Sequence, residues 1–254
     1  MPTSLTRGLR VIEILSTESR PLGVTEIAER AGSSKSGAHS LLTALVRAGY
    51  AEHERGGVYR LGLKAWEIGR AFPVSRLLQT ATPAMAALVA KIGEGAILGV
   101  LDGADVVYVH LADGEQAVRV HARVGDRIPA HCTSTGLALL AQRADAQVDS
   151  LLPAKLASFT PRTLIDRRAV RVELRGVRMR GYAVNRGGWR LDVGGIAAAI
   201  PTKDAPFALD AGVCIAVPLY RMNRAWVTEK APLLVQCARH IGEMLAHEST
   251  NVAA

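Results

Sequence analysis

Ser34, Lys35, Ser36, His39 and Ser40 bring three hydroxyls, an ammonium and an imidazole together within seven residues of the chain. Each can hydrogen-bond a phosphate oxygen or a base edge, the chemistry of a helix that enters the DNA major groove by its first turns. A second set, His110, His121, His131 and Cys132 with Asp113 and Asp126, has the residue types of a Cys/His nucleophile site or a zinc site. Spacing supports neither. His131 and Cys132 are adjacent, so an extended chain would point them to opposite sides, and no His-x-x-x-His or Cys-x-x-Cys pair occurs. Gly187-Gly188 and Gly194-Gly195 lack the Gly-x-Gly-x-x-Gly and P-loop patterns, so no nucleotide loop is read. Neither catalysis, nor a metal, nor another cofactor is expected. Cys132, Cys214 and Cys237 are odd in number and far apart, which fits free thiols in a reducing compartment better than a disulfide framework.

The elements around the first set must hold it as a DNA reader would. Leu9, Val11, Ile12, Ile14 and Leu15 give an apolar stripe to a helix over Ser4 to Ser16. A short helix follows from Val24, which Thr25 can cap and Gly32 can end. After Ser33-Ser34-Lys35-Ser36 comes a second helix with Ala38, Leu41, Leu42, Leu45 and Val46 on one face, stopping at Ala48-Gly49. Two helices joined by a tight turn make a helix-turn-helix. The period then changes to two: Tyr50 to Glu54, a turn at Arg55-Gly56-Gly57, and Val58 to Leu61 form a hairpin. A hairpin directly behind a helix-turn-helix is a wing, with Arg55 at its tip and Arg60 on its return strand. Thr25, Ser34, Lys35, Ser36, His39, Ser40, Arg55 and Arg60 are the candidate DNA contacts.

The remainder is long and apolar enough for a second body. Apolar residues make up 49% of the chain, and no uninterrupted apolar run reaches the roughly 18 residues of a membrane span. The N-terminus has no secretory pattern, so a cytoplasmic location away from membranes is expected. A net charge of +8 favours polyanions, but residues 1–70 carry only 10 Lys/Arg against 7 Asp/Glu, so pattern and not charge assigns the DNA partner. Leu63 to Ala71 reads as a helix ending at Pro73, Ser75 to Thr80 resumes it, and Pro83 opens another helix through Ile92. Strands are expected at Ala96 to Leu101, Asp105 to Leu111, Gln116 to Ala122, Tyr182 to Val184, Gly194 to Pro201 and Gly212 to Pro218. Helices are expected at Ser134 to Arg143, Ala144 to Leu152, Asp166 to Arg180 and Val227 to His247. The class is α+β: a winged helix-turn-helix domain over 1–63, a helical linker over 64–81, and an antiparallel sheet domain flanked by helices over 82–254.

Several runs carry a resemblance. Arg7 to Leu15, Leu22 to Ala31, Lys35-Ser36, His39, Leu41 to Leu45 and Tyr59-Arg60-Leu61-Gly62 look like the DNA-binding half of the IclR-type bacterial transcriptional regulators. Val100 to Gly103, Val106 to Val109, Val124 to Arg127, His131 to Ser134, Thr160 to Leu164 and Arg180 to Val184 are similar to signatures of that family's effector domain. The resemblance implies a GAF-like sensor fold, double-stranded operator DNA and a small organic effector as partners, and a homodimer or a dimer of dimers. The family places a Cys where this chain has Gly195, and Ser-x-Ser where it has Cys214-Ile215-Ala216. Those family positions touch small carboxylates, so their loss implies a roomier, less polar site for a bulkier, aromatic effector. Thr133, Ser134, Asn185, Trp189, Gly195, Cys214 and Ala216 are the implied contacts, with Arg119 or Arg123 for a carboxylate. A repressor released by its inducer is the favoured reading. An activator, or a ligand-binding module whose winged helix docks protein, stays open.

Overall fold

The computed structural model describes residues 3–202 and 209–252, with side chains described to residue 247. Contacts divide the chain into two units, Met1–Phe72 and Pro73–Ala254. Among the described residues no helix is long and apolar enough to cross a membrane.

In the first unit, helix α1 (Ser4–Ser16) starts where Thr3 Oγ1 accepts from Thr6 N at 3.3 Å. Strand β1 (Leu22–Gly23) leads into α2 (Val24–Arg30), α3 (Lys35–Arg47), β2 (Ala51–Glu54), β3 (Val58–Leu61) and α4 (Lys64–Gly69). The core joins Val11, Ile14 and Leu15 of α1 to Ile27 of α2, Leu42 of α3, and Ala51 and Tyr59 of the wing. One strand went unforeseen: β1 pairs antiparallel with β3, making a three-stranded sheet of order β1-β3-β2. Thr25 does not cap α2. Gly23 holds that position without a side-chain bond, and Thr25 stands exposed one residue inside the helix. Leu5 and Leu9 of α1, and Leu63, Trp66, Ile68 and Phe72 around α4, are exposed apolar side chains.

The second unit is a six-stranded antiparallel sheet with helices on both faces. Its elements are α5 (Val74–Ile92), β4 (Ala96–Asp102), β5 (Asp105–Ala112), β6 (Arg127–Pro129), α6 (Ser134–Leu140), α7 (Asp145–Leu151) and α8 (Arg167–Arg180). Then follow β7 (Ala183–Arg186), β8 (Val193–Ala199), β9 (Ala211–Pro218) and α9 (Arg224–Val252), and the strand order is β6-β5-β4-β9-β8-β7. Leu77 and Met85 of α5 and Leu234 and Ile241 of α9 pack on Leu98, Val213 and Ile215 of one face. Leu137 and Leu140 of α6 and Leu174 of α8 join a second core with Ile97, Ala197 and Cys214 of the other.

Four expectations change here. Gln116 to Ala122 is not a strand: the free edge of β5 is taken by β6, which pairs Arg127 to Pro129 with Val107 to Asp105, and residues 113–126 run as an irregular loop. Pro83 opens no new helix but lies inside α5, near the exposed side where the missing N–H is tolerated. The stretch 64–81, expected as one linker, divides into α4 of the first unit and the opening turns of α5, whose Leu77 and Ala81 are fully buried in the second. His131 and Cys132 lie not on extended chain but in a single 3-10 turn, Ala130–Cys132.

Candidate nucleic-acid interface and ligand pocket

The first turn of α3 is fixed from its own sequence. Ser34 caps it, accepting from Gly37 N at 3.1 Å, so this hydroxyl is committed to the helix. Lys35, Ser36, His39 and Ser40 are exposed and, with Val24, line one shallow depression. Ser40 Oγ donates back to Ser36 O at 3.1 Å, while Lys35 and His39 have no side-chain partner among the described residues. Arg55 is exposed at the wing turn and equally unpaired. Arg60 differs: it donates to Glu52 at 2.6 and 2.8 Å and lies 3.0 Å from Glu54, neighbours that raise its already high pKa. Elsewhere in this unit Arg20 and Arg30 share Glu26, at 2.6 and 2.7 Å. Carboxylates thus hold several cations to the protein and leave Lys35 and Arg55 available to an outside anion.

The pocket opens at one end of the second unit's sheet and offers about 70 Å³ of free space, several times the least that admits one water. Its floor is Ile97 of β4, Cys214 and Ala216 of β9 and Gly195 of β8. Gly195 keeps that floor open, because a Cβ there would stand 3.0 Å from Ser134 Oγ and 3.1 Å from Ile215 O. One wall is Tyr108 of β5 with Ile128 of β6; the other is Asn185, Trp189 and Arg190 of β7 and the turn behind it. Cys132, Thr133 and Ser134 enter at the start of α6, and His121 and Asp126 of the irregular loop stand at the mouth.

Most polar groups of the lining already serve the fold. Thr133 Oγ1 accepts from Gly136 N at 3.0 Å, capping α6. Asn185 is a bracket and not a free anchor, donating to Cys132 O at 3.0 Å and accepting from Gly188 N at 2.8 Å. The carbonyls of Gly187 and Gly188 take the hydroxyls of Thr160 (2.6 Å) and Thr163 (2.7 Å). Trp189, on the pocket side of this turn, meets Phe159 edge-on at 4.4 Å. Ser134 Oγ and Cys214 Sγ are hydrogen-bonded at 3.3 Å, so the hydroxyl missing at 214 is partly supplied across the pocket. Burial pushes the Cys132 thiol up to about 12 and raises Cys214 too, so both remain neutral thiols. Burial likewise raises Tyr108, whose phenol stays protonated and finds no hydrogen-bond partner among the described residues.

The structure therefore gathers Thr133, Ser134, Asn185, Trp189, Gly195, Cys214 and Ala216 around one cavity, and leaves two expected residues outside it. Arg119 lies 3.7 Å from Asp113 at the surface, and Arg123 Nε donates to His121 at 3.2 Å. Tyr108, Asp126, His121 and Arg190 line the cavity and were missed. Tyr108 had a signal, since it falls in phase with Val106 on a strand whose inner face must meet something; Arg190, in a turn, had none. The lining is mixed, an apolar floor under walls that combine Ile128 and Trp189 with Tyr108, Asn185 and Arg190. Among the described residues no three His, Cys, Asp or Glu side chains are grouped to hold a metal.

The chain matches the IclR helix-turn-helix domain over residues 4–55 and the C-terminal domain of bacterial IclR transcriptional regulators over residues 71–243. It is 30% identical to the transcriptional repressor IclR of Escherichia coli over 244 residues, covering 94% of this chain and 88% of that one. It is 30% identical to the Pca regulon regulatory protein of Pseudomonas putida over 247 residues, 96% of this chain and 84% of the other. Among solved structures, an IclR homologue of Microbacterium hydrocarbonoxydans complexed with 4-hydroxybenzoate superposes with a TM-score of 0.81 at 29% identity, over 96% of this chain and 99% of that one.

Proposed function

The chain belongs to the IclR family of bacterial transcriptional regulators, and from that premise we propose that it represses an operator and releases it when a small aromatic acid enters the pocket. The observation that carries this reading is the pairing, in one chain, of an uncompensated Lys35 on an exposed helix-turn-helix face with a cavity lined by Trp189, Tyr108 and an apolar floor. A repressor among its relatives and a hydroxybenzoate in a structural relative support the direction and the ligand class. Binding as a homodimer follows from the need to set two recognition helices about one DNA turn apart. The exposed Leu5, Leu9, Leu63, Trp66, Ile68 and Phe72 of the first unit supply apolar surface for such pairing. A gel-shift titration against DNA upstream of its own gene, with salt and 4-hydroxybenzoate varied, tests this. Affinity should fall as salt rises and fall again with the acid; a complex that the acid tightens would make the protein something other than an inducible repressor.

A further inference from the structure

Arg190 lines the pocket and is exposed, and while its backbone carbonyl accepts from Val193 N at 3.1 Å, its side chain makes no hydrogen bond or ion pair among the described residues. Other arginines near this end of the sheet are committed. Arg162 reaches Arg186 O at 3.5 Å, Arg186 donates to Met222 O, Arg221 pairs with the buried Glu94 at 3.0 Å, Arg119 with Asp113 and Arg123 with His121. Opposite stands Tyr108, only 8% exposed, lining the cavity with its phenol oxygen unpartnered among the described residues. A hydroxyl so placed gains a full hydrogen bond from a guest that reaches it.

The topology sets these two groups at opposite ends. Tyr108 is on β5 and Arg190 follows β7 in the turn to β8, and β4 and β9 lie between β5 and β8. At the usual strand spacing that is about 14 Å of backbone separation. Both side chains line the cavity, one from each side of its floor of Ile97, Cys214 and Ala216. Asp126, also lining the pocket, is held on the Tyr108 side, where its backbone C=O accepts from Tyr108 N at 2.9 Å. A carboxylate guest is repelled from that side and drawn to Arg190.

We infer that the pocket reads an aromatic acid by both ends, Arg190 pairing with its carboxylate at the β7–β8 turn and Tyr108 hydrogen-bonding its ring hydroxyl from the opposite wall. This rests on the effector reading above and adds the orientation of the guest and the two residues that set it. Neither residue is among the effector contacts that the family likeness implies.

Calorimetric titration of the full chain with benzoate, phenol and 4-hydroxybenzoate tests it. Wild type should bind 4-hydroxybenzoate more tightly than either fragment of it. Arg190→Gln, which removes a side chain unpaired among the described residues and keeps the backbone bond to Val193 N, should weaken benzoate and 4-hydroxybenzoate about tenfold or more and leave phenol unchanged. Tyr108→Phe should cost 4-hydroxybenzoate several-fold while sparing benzoate. Unchanged acid binding in Arg190→Gln would overturn the carboxylate end, leaving Arg190 a solvated surface charge. Equal losses of benzoate and 4-hydroxybenzoate in Tyr108→Phe would overturn the hydroxyl end. If none of the three binds wild type, the aromatic-acid reading itself falls, and the two-ended grip with it.

Discussion

At the scale of single residues, the winged-helix unit separates cations that face outward from cations that hold the fold. Lys35 forms no ion pair among the described residues, whereas Arg60 is embraced by Glu52 and Glu54. Lys35→Ala should therefore weaken operator binding by about 1–3 kcal/mol and lower the slope of log affinity against log salt by about one. Arg60→Ala should move that slope far less, because its charge is already compensated; fluorescence anisotropy over a salt series distinguishes the two. In the pocket, the Cys132 thiol is raised from an ordinary value near 9 to about 12 because its buried surroundings disfavour a thiolate. The native state thus holds this proton where the unfolded chain has lost it, so stability is complete below pH 9 and drains away as pH rises toward 12. Urea unfolding from pH 8 to 11 should show the decline, with a shallower decline in Cys132→Ala.

Elements were legible in the sequence where a strong period met a clean stop. The helices over Ser4 to Ser16 and Lys35 to Arg47 and the Arg55-Gly56-Gly57 turn follow from apolar spacing, a serine cap and paired glycines. Gln116 to Ala122 misled because alternation reports what could pair, not whether an edge is free, and β6 already occupies the edge of β5. Pro83 misled because a proline that suits the start of a helix is also tolerated inside one on its exposed side. The pocket was half legible for a similar reason: strand residues keep phase, while turn residues such as Arg190 face wherever their brackets put them. Those brackets are testable. Thr163 Oγ1 donates to Gly188 O and accepts from the amides of Phe159 and Thr160, at 3.1 and 2.9 Å. Thr163→Val keeps the volume and strands all three groups, so it should cost about 1–3 kcal/mol in urea unfolding and weaken ligand binding through Trp189.

For the whole molecule, the question is where the sensing unit begins. The first turns of α5 are part of its core, since Leu77 and Ala81 are fully buried against the sheet side that also holds Met85 and Leu234. A fragment of residues 73–254 should melt cooperatively and bind 4-hydroxybenzoate with the affinity of the full chain. One starting at residue 82 loses Leu77 and should be less stable by about 2–5 kcal/mol, as calorimetry of both fragments would show. The pocket itself divides labour between two kinds of backbone. Its floor is laid by Gly195, Cys214 and Ala216, locked in a register that pairs Gly195 with Ala216 and Ala197 with Cys214, while Trp189 and Arg190 of one wall come from the turn between β7 and β8. Substitutions at Trp189 or Arg190 can change the preferred guest at little cost to the sheet. Duplicated copies of such a gene can therefore diverge toward new inducers by few mutational steps, each intermediate still folding and still reading its old operator.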